Sequence, residues 1–125
     1  MFKENNDIIL SATFNLYEEN IEVMKEIIKE SRIKRANSQP LEYKNAGSVF
    51  KNPEGDYAGR LIESLGLKGY TIGGAQISEK HANFIINVGN ATGSDIRNLI
   101  KYIQEKVYNE YEIKLELEQI IIDWE

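Results

Sequence analysis

At 125 residues the chain has the length of one ordinary domain with a core of its own, and its 42% hydrophobic and 28% charged residues exclude the disordered class. Fifteen Lys and Arg against 20 Asp and Glu give a net charge of −5, the wrong sign for a domain that neutralises nucleic-acid phosphates. The absence of cysteine excludes a disulfide framework, a thiolate nucleophile and a cysteine metal site, and it fits a reducing, cytoplasmic setting.

In chain order, "DIILSATFNL" places Ile8, Leu10, Ala12, Phe14 and Leu16 at period two, which predicts a strand with one buried side. Glu18 and Glu19 suit a helix amino terminus, and Ile21, Met24, Ile27 and Ile28 then recur at helical spacing towards Arg35. The basic residues Arg32, Lys34 and Arg35 are favoured at that helix end by the dipole. Pro40, Gly47, Pro53 and Gly55 mark residues 37–55 as a segment of little regular structure, and such long loops are usually functional.

From Asp56 a short amphipathic helix is expected on Tyr57, Leu61, Ile62 and Leu65, closed by Gly66. Gly66, Gly69, Gly73 and Gly74 predict turns and close backbone approach around a short extended piece at Ala75–Ser78. "NFIINVG" reads as a buried strand. The Thr92-to-Asp95 capping spacing then opens a second long helix with Ile96, Leu99, Ile100, Ile103 and Val107 on one stripe. Ile113, Leu115 and Leu117 alternate with Lys114, Glu116 and Glu118 in an expected closing strand. The order lacks the regular alternation of a doubly wound sheet, so the fold class is α+β: a single domain with two long helices, a short helix and a small mixed sheet. No apolar run reaches the roughly 20 residues that span a bilayer, and "MFKENNDIIL" is too short and acidic for a secretory signal, so no membrane partner is expected.

Taken singly, the polar residues have bland explanations. Ser48 follows Gly47, but Phe50 breaks the G-x-S-x-G pattern of a nucleophile elbow, so a turn serine is the plainer account. Asn45 and Asn52 suit loops and Lys51 a solvated charge. "TIGGAQIS" is not G-x-G-x-x-G and opens no helix, so it is no dinucleotide fingerprint. His81 is the sole histidine and lacks the carboxylate or cysteine company of a metal site, so no metal is expected. Glu116 and Glu118 read as the wet side of a sheet.

Taken together, "QPLEYKNAGSVFKNPEGDYAGRLIESLGLKGYTIGGAQISEKHANFIINVGNATGSDIRNLI" and the following "LELE" closely resemble the carboxy-terminal domain of the UDP-N-acetylenolpyruvoylglucosamine reductase (MurB) family. The resemblance runs from "IILSATFNL" to the end, departing at Gln119 and Asp123. It implies an oxidoreductase of peptidoglycan synthesis that uses FAD and NADPH to reduce the enolpyruvyl double bond of UDP-N-acetylglucosamine enolpyruvate to UDP-N-acetylmuramate. Residues 1–125 would be its substrate-binding domain, with residues 1–16 as the last strand leading in from an amino-terminal flavin-binding domain. That domain would be the partner carrying the cofactors; none is expected on these residues alone, which would be inactive in isolation.

By the same resemblance Ser48 delivers a proton to the substrate carbon after hydride has reached its neighbour, and Glu118 stabilises or protonates the enolic intermediate. Asn52, Lys68 and His81 fall on substrate-contacting positions, with Lys68 suited to a phosphate. Two other readings stay open: a free-standing sugar-nucleotide binding module without redox activity, and a purely structural interaction domain.

Overall fold

The computed structural model describes residues 8–122, so the expectations for residues 1–7 and for Asp123 lie outside the described residues. The chain divides after Ser31 into two units. In the first, residues 8–20 have no regular structure and Leu10, Phe14 and Leu16 are exposed, which corrects the expected leading strand. Period-two alternation says which side chains would face a core, but a strand also needs a neighbour to take its N–H and C=O groups, and residues 8–16 form no ladder. Asn20 accepts the N–H groups of Glu22 at 2.9 Å and Val23 at 3.4 Å, capping the first helix, α1 (Ile21–Ser38). No residue of α1 is buried, so its apolar stripe of Ile21, Met24, Ile27 and Ile28 is exposed.

The second unit holds the sheet. Its strands are β1 (Lys44–Ser48), β2 (Thr71–Ile72), β3 (Ala75–Ile77) and β4 (Phe84–Asn87), in the order β1-β4-β3-β2. Every pair is antiparallel, so the α+β class holds and the expected mixed sheet is an antiparallel one. β1 lies inside the segment expected to lack regular structure. Its sequence, KNAGS, shows no alternation, and its pairing with β4 carries a bulge between Asn45 and Ser48 where Gly47 adopts φ +82°.

Helix α2 (Ala58–Ser64) follows the polar loop, and Gly66 takes φ +67° just beyond it, as expected of a left-handed cap. β2 and β3 are joined by the two-residue turn Gly73-Gly74, with Gly73 at φ +56°. A Cβ on Gly74 would lie 2.0 Å from the Gly89 carbonyl oxygen and 2.4 Å from the Ala91 nitrogen, so the turn after β4 is packed directly onto this glycine's backbone.

Helix α3 (Gly93–Tyr111) lies on β2 and β3 and against α2. Leu61 and Ile62 of α2, Leu99, Ile103 and Val107 of α3, Ile77 of β3 and Val49 and Phe50 after β1 form one buried cluster. The expected capping box is present: Thr92 Oγ1 accepts the Asp95 N–H at 3.1 Å, and Asp95 Oδ2 accepts the Thr92 N–H at 2.9 Å. The hydrogen bonds from Thr92 hold the Asp95 carboxyl below the usual carboxylate range. Thr92→Ala should therefore cost about 1 kcal/mol in urea unfolding at neutral pH. Because the folded pKa of Asp95 is depressed, its contribution is complete above its unfolded value and is lost as pH falls through the lower folded value. The gap between wild type and Asp95→Ala should accordingly narrow in acid, and a constant gap down to strong acid would count against the carboxylate half of the box.

After α3 the expected closing strand is not formed as such. Residues 113–118 make one isolated bridge, Leu117 to Phe50, and the Leu115 carbonyl is taken by the Gln104 side-chain amide of α3 at 2.8 Å. The alternation still sorts the faces, with Leu115 buried and Glu116 and Glu118 exposed. Among the described residues no helix is long and apolar enough to cross a membrane.

Candidate functional site

The bulge that ends β1 turns the chain so that Val49 and Phe50 enter the core while Ser48 stays exposed. Lys51 then donates its N–H to the Glu116 carbonyl, and Glu118 donates its own to the Val49 carbonyl, both at 2.9 Å. These two bonds fasten the tail alongside residues 49–51 and bring Glu118 to the same cleft as Ser48. The Gln119 side-chain amide donates to the Gly47 carbonyl at 3.3 Å, which adds a tie between tail and bulge.

The cleft encloses about 640 Å³ and is lined by Ser48, Asn52, His81 and Glu118 of the expected site, together with Phe50, Lys51, Tyr57, Arg60, Glu63, Lys80 and Asn83. That volume lies within the range of small-molecule sites. Among the described residues none exchanges a hydrogen bond with Ser48 Oγ. Ser48 is exposed at the cleft, and its hydroxyl takes up none of the nearby backbone groups. Gly47 has open space where a Cβ would stand, so its contribution is the positive φ of the bulge and not a tight approach.

Asn52 Oδ1 accepts the N–H of Ala58 at 3.1 Å, which caps α2 from the loop and leaves the Nδ2 amide as the donor. His81 is held by a turn built on the buried Ser78. Ser78 Oγ accepts the N–H groups of Lys80 at 3.2 Å and His81 at 3.3 Å, and the Phe84 N–H closes onto the His81 carbonyl at 3.0 Å. Nδ1 of His81 accepts the Asn83 N–H at 3.2 Å, so a neutral ring carries its proton on Nε2. Gly59 of α2 approaches closely here, since a Cβ on it would sit 3.4 Å from His81 Cε1.

Lys68 is not brought to the cleft; its ammonium pairs with Glu63, which is. Three cations that the sequence did not single out are: Lys51, Arg60 and Lys80. Each is backed by a carboxylate outside the lining: Lys51 by Glu116 at 3.2 Å, Arg60 by Asp56, and Lys80 by Glu42 at 3.2 Å. The Arg60 guanidinium, with the Tyr57 N–H, lowers the Asp56 carboxyl to about 2. Against the two lining carboxylates, Glu63 and Glu118, the cleft is more positive than a chain of net charge −5 would suggest. An anionic ligand would meet Lys51, Arg60 and Lys80 in competition with those backing carboxylates. The available signal was the "EKHAN" turn after Ser78, which supplies Lys80, His81 and Asn83 together.

Among the described residues the glycine pair nearest to a nucleotide cradle is Gly73-Gly74. Gly74 is filled by the backbone at Gly89 and Ala91, and a Cβ on Gly73 would meet the Asp95 carboxylate at 2.4 Å. These glycines serve internal packing and offer no room for a nucleotide pyrophosphate.

Residues 39–122 match the family model described as UDP-N-acetylenolpyruvoylglucosamine reductase, C-terminal domain. The chain is 50% identical over 115 residues to the reductase of that name from Clostridium botulinum, covering 92% of this chain and 38% of the relative. It is 53% identical over 116 residues to the one from Fervidobacterium nodosum, covering 92% and 38% respectively. A crystal structure of the reductase (MurB) from Thermus caldophilus superposes with a TM-score of 0.70 at 42% identity, over 82% of this chain and 36% of that one. The chain thus spans about two-fifths of the length of the curated relatives it matches. With its antiparallel sheet, two long helices and polar cleft, it belongs to the UDP-N-acetylenolpyruvoylglucosamine reductase family, in which it corresponds to the carboxy-terminal domain.

Proposed function

We propose that residues 1–125 form one domain, the substrate-binding and proton-donating part of a UDP-N-acetylenolpyruvoylglucosamine reductase acting in cytoplasmic peptidoglycan synthesis. What carries this reading is the convergence of Ser48, Asn52, His81 and Glu118 on one cation-rimmed cleft, with the Ser48 hydroxyl uncommitted. Reduction of the enolpyruvyl double bond adds a hydride to one carbon and a proton to the other. Ser48 Oγ–H supplies the proton. A hydroxyl is a weak acid, so it serves only when held within hydrogen-bond reach of an electron-rich, enolate-like carbon. Glu118 stabilises or protonates the enolic intermediate, Asn52 Nδ2 and the His81 ring donate to substrate oxygens, and Lys51, Arg60 and Lys80 face the diphosphate. Lys68 can take part only by leaving Glu63.

FAD and NADPH belong, in this reading, to the part of the reductase outside these residues, and the 125 residues alone do not turn over. The reading is tested by titrating the chain with UDP-N-acetylglucosamine enolpyruvate while following backbone amides by NMR. Shifts are expected at Ser48, Asn52, His81 and Glu118. Shifts confined to residues away from the cleft would reject it.

A further inference from the structure

Asn83 is 4% exposed and, with Ser78, one of two buried polar side chains among the described residues. Its amide engages both polar groups of a single residue 33 positions earlier. Asn83 Oδ1 accepts the Phe50 N–H at 3.0 Å, and Asn83 Nδ2 donates to the Phe50 carbonyl at 2.8 Å. The Asn83 carbonyl accepts the Val49 N–H at 2.9 Å. Two residues that exchange both peptide hydrogen bonds are the repeating unit of an antiparallel ladder. Here one half of that unit is a side chain. It continues the pairing past the point where the bulge has thrown β1 and β4 out of register, between Asn45 and Ser48.

The opposite edge of this dipeptide carries the tail, through the Glu118 N–H on the Val49 carbonyl. Asn83 also gives its own N–H to His81 Nδ1. One buried amide therefore holds the peptide that precedes Lys51 and follows Ser48, from which Glu118 hangs in turn. We infer that Asn83 is the positioning residue of this cleft, which fixes Ser48 and Glu118 relative to each other through the Val49-Phe50 backbone while touching no reacting atom. The inference rests on the proposed roles of Ser48 and Glu118 only for its effect on turnover; the positioning itself is read without substrate.

The test has two arms. In the 125-residue chain, Asn83→Ala should shift the Ser48 and Glu118 amide resonances and expose the Phe50 amide to hydrogen exchange, while resonances of α3 stay in place. Asn83→Asp keeps the Oδ1 acceptor and regains the donor only when protonated. Its Ser48 and Glu118 resonances should match wild type in acid and move away as pH rises through the carboxyl's titration, and this variant decides the matter if Asn83→Ala does not fold. In the intact reductase, a misplacement of the order of 1 Å lowers kcat on the order of 10²-fold. That loss should shrink on a Ser48→Ala background, because Asn83 acts in part through Ser48 and in part through Glu118.

Unmoved Ser48 and Glu118 resonances in a folded Asn83→Ala chain, or a pH-independent Asn83→Asp spectrum, would overturn the inference. Shifted resonances with a silent Ser48→Ala would leave the positioning intact and reject the catalytic reading instead.

Discussion

The Gly74→Ala chain is expected to lose most of its stability. The added methyl would stand 2.0 Å from the Gly89 carbonyl oxygen and 2.4 Å from the Ala91 nitrogen. Both are backbone atoms, so no rotamer change relieves the overlap. The Val88 N–H bonds the Gly74 carbonyl at 3.0 Å, and Asn87 Oδ1 takes the N–H groups of Gly89 and Ala91 at 3.0 and 3.2 Å. Moving the 87–91 turn away therefore breaks the contact between β3 and β4 and disturbs the start of α3. The cost belongs in the rare class above about 4 kcal/mol, against a whole-domain stability of roughly 5–15 kcal/mol. Thermal unfolding followed by circular dichroism should fall by about 15 °C or more. A midpoint close to that of wild type would mean that the turn yields without loss, and that the glycine is not what permits the close approach.

The second large effect concerns chemistry. In an intact reductase carrying these residues, Ser48→Ala should lower kcat on the order of 10²–10⁴-fold, the usual contribution of a positioned proton donor. KM for the enolpyruvyl substrate should change little, since the loss is of an interaction made in the transition state. Ser48 is exposed and packs into nothing, so the fold should be unaffected. Ser48→Cys, which retains a transferable proton at nearly the same place, should recover part of the rate. Steady-state kinetics of the three proteins check this. A Ser48→Ala enzyme with near-normal kcat would remove Ser48 from the chemistry.

The sequence carried different parts of this account unequally. Helix α3 was legible to its first residues because a capping box and a five-residue apolar stripe agree on the same boundary. The close approach at Gly74 was legible because four glycines in nine positions have few other uses. β1 was not, since a strand of Lys, Asn, Ala, Gly and Ser owes its place to β4 and to the core residues that follow it, and none of that support is local. The opposite error occurred at residues 8–16, where the alternation was regular but the described residues form no ladder.

The site shows the same division. Resemblance picked out Ser48, Asn52, His81 and Glu118, which line one cleft, and Lys68, which pairs with Glu63 beside it. Lys51, Arg60 and Lys80 were hidden because a lone cation in a loop or short helix looks like solvated charge until the tertiary fold turns it inward. Asn83 was hidden more deeply, since three of its four hydrogen bonds run to residues Val49 and Phe50, which no local pattern connects to it.

The most direct test of the central claim, that this cleft receives the enolpyruvyl end of a UDP-sugar, is a paired amide NMR titration of the chain. One ligand is UDP-N-acetylglucosamine enolpyruvate and the other is UDP-N-acetylglucosamine, which lacks the reacting group. Both should move Asn52 and His81, while Ser48 and Glu118 should respond to the enolpyruvyl compound alone. Identical responses to the two ligands, or no response at Ser48 with either at millimolar concentration, would contradict the account.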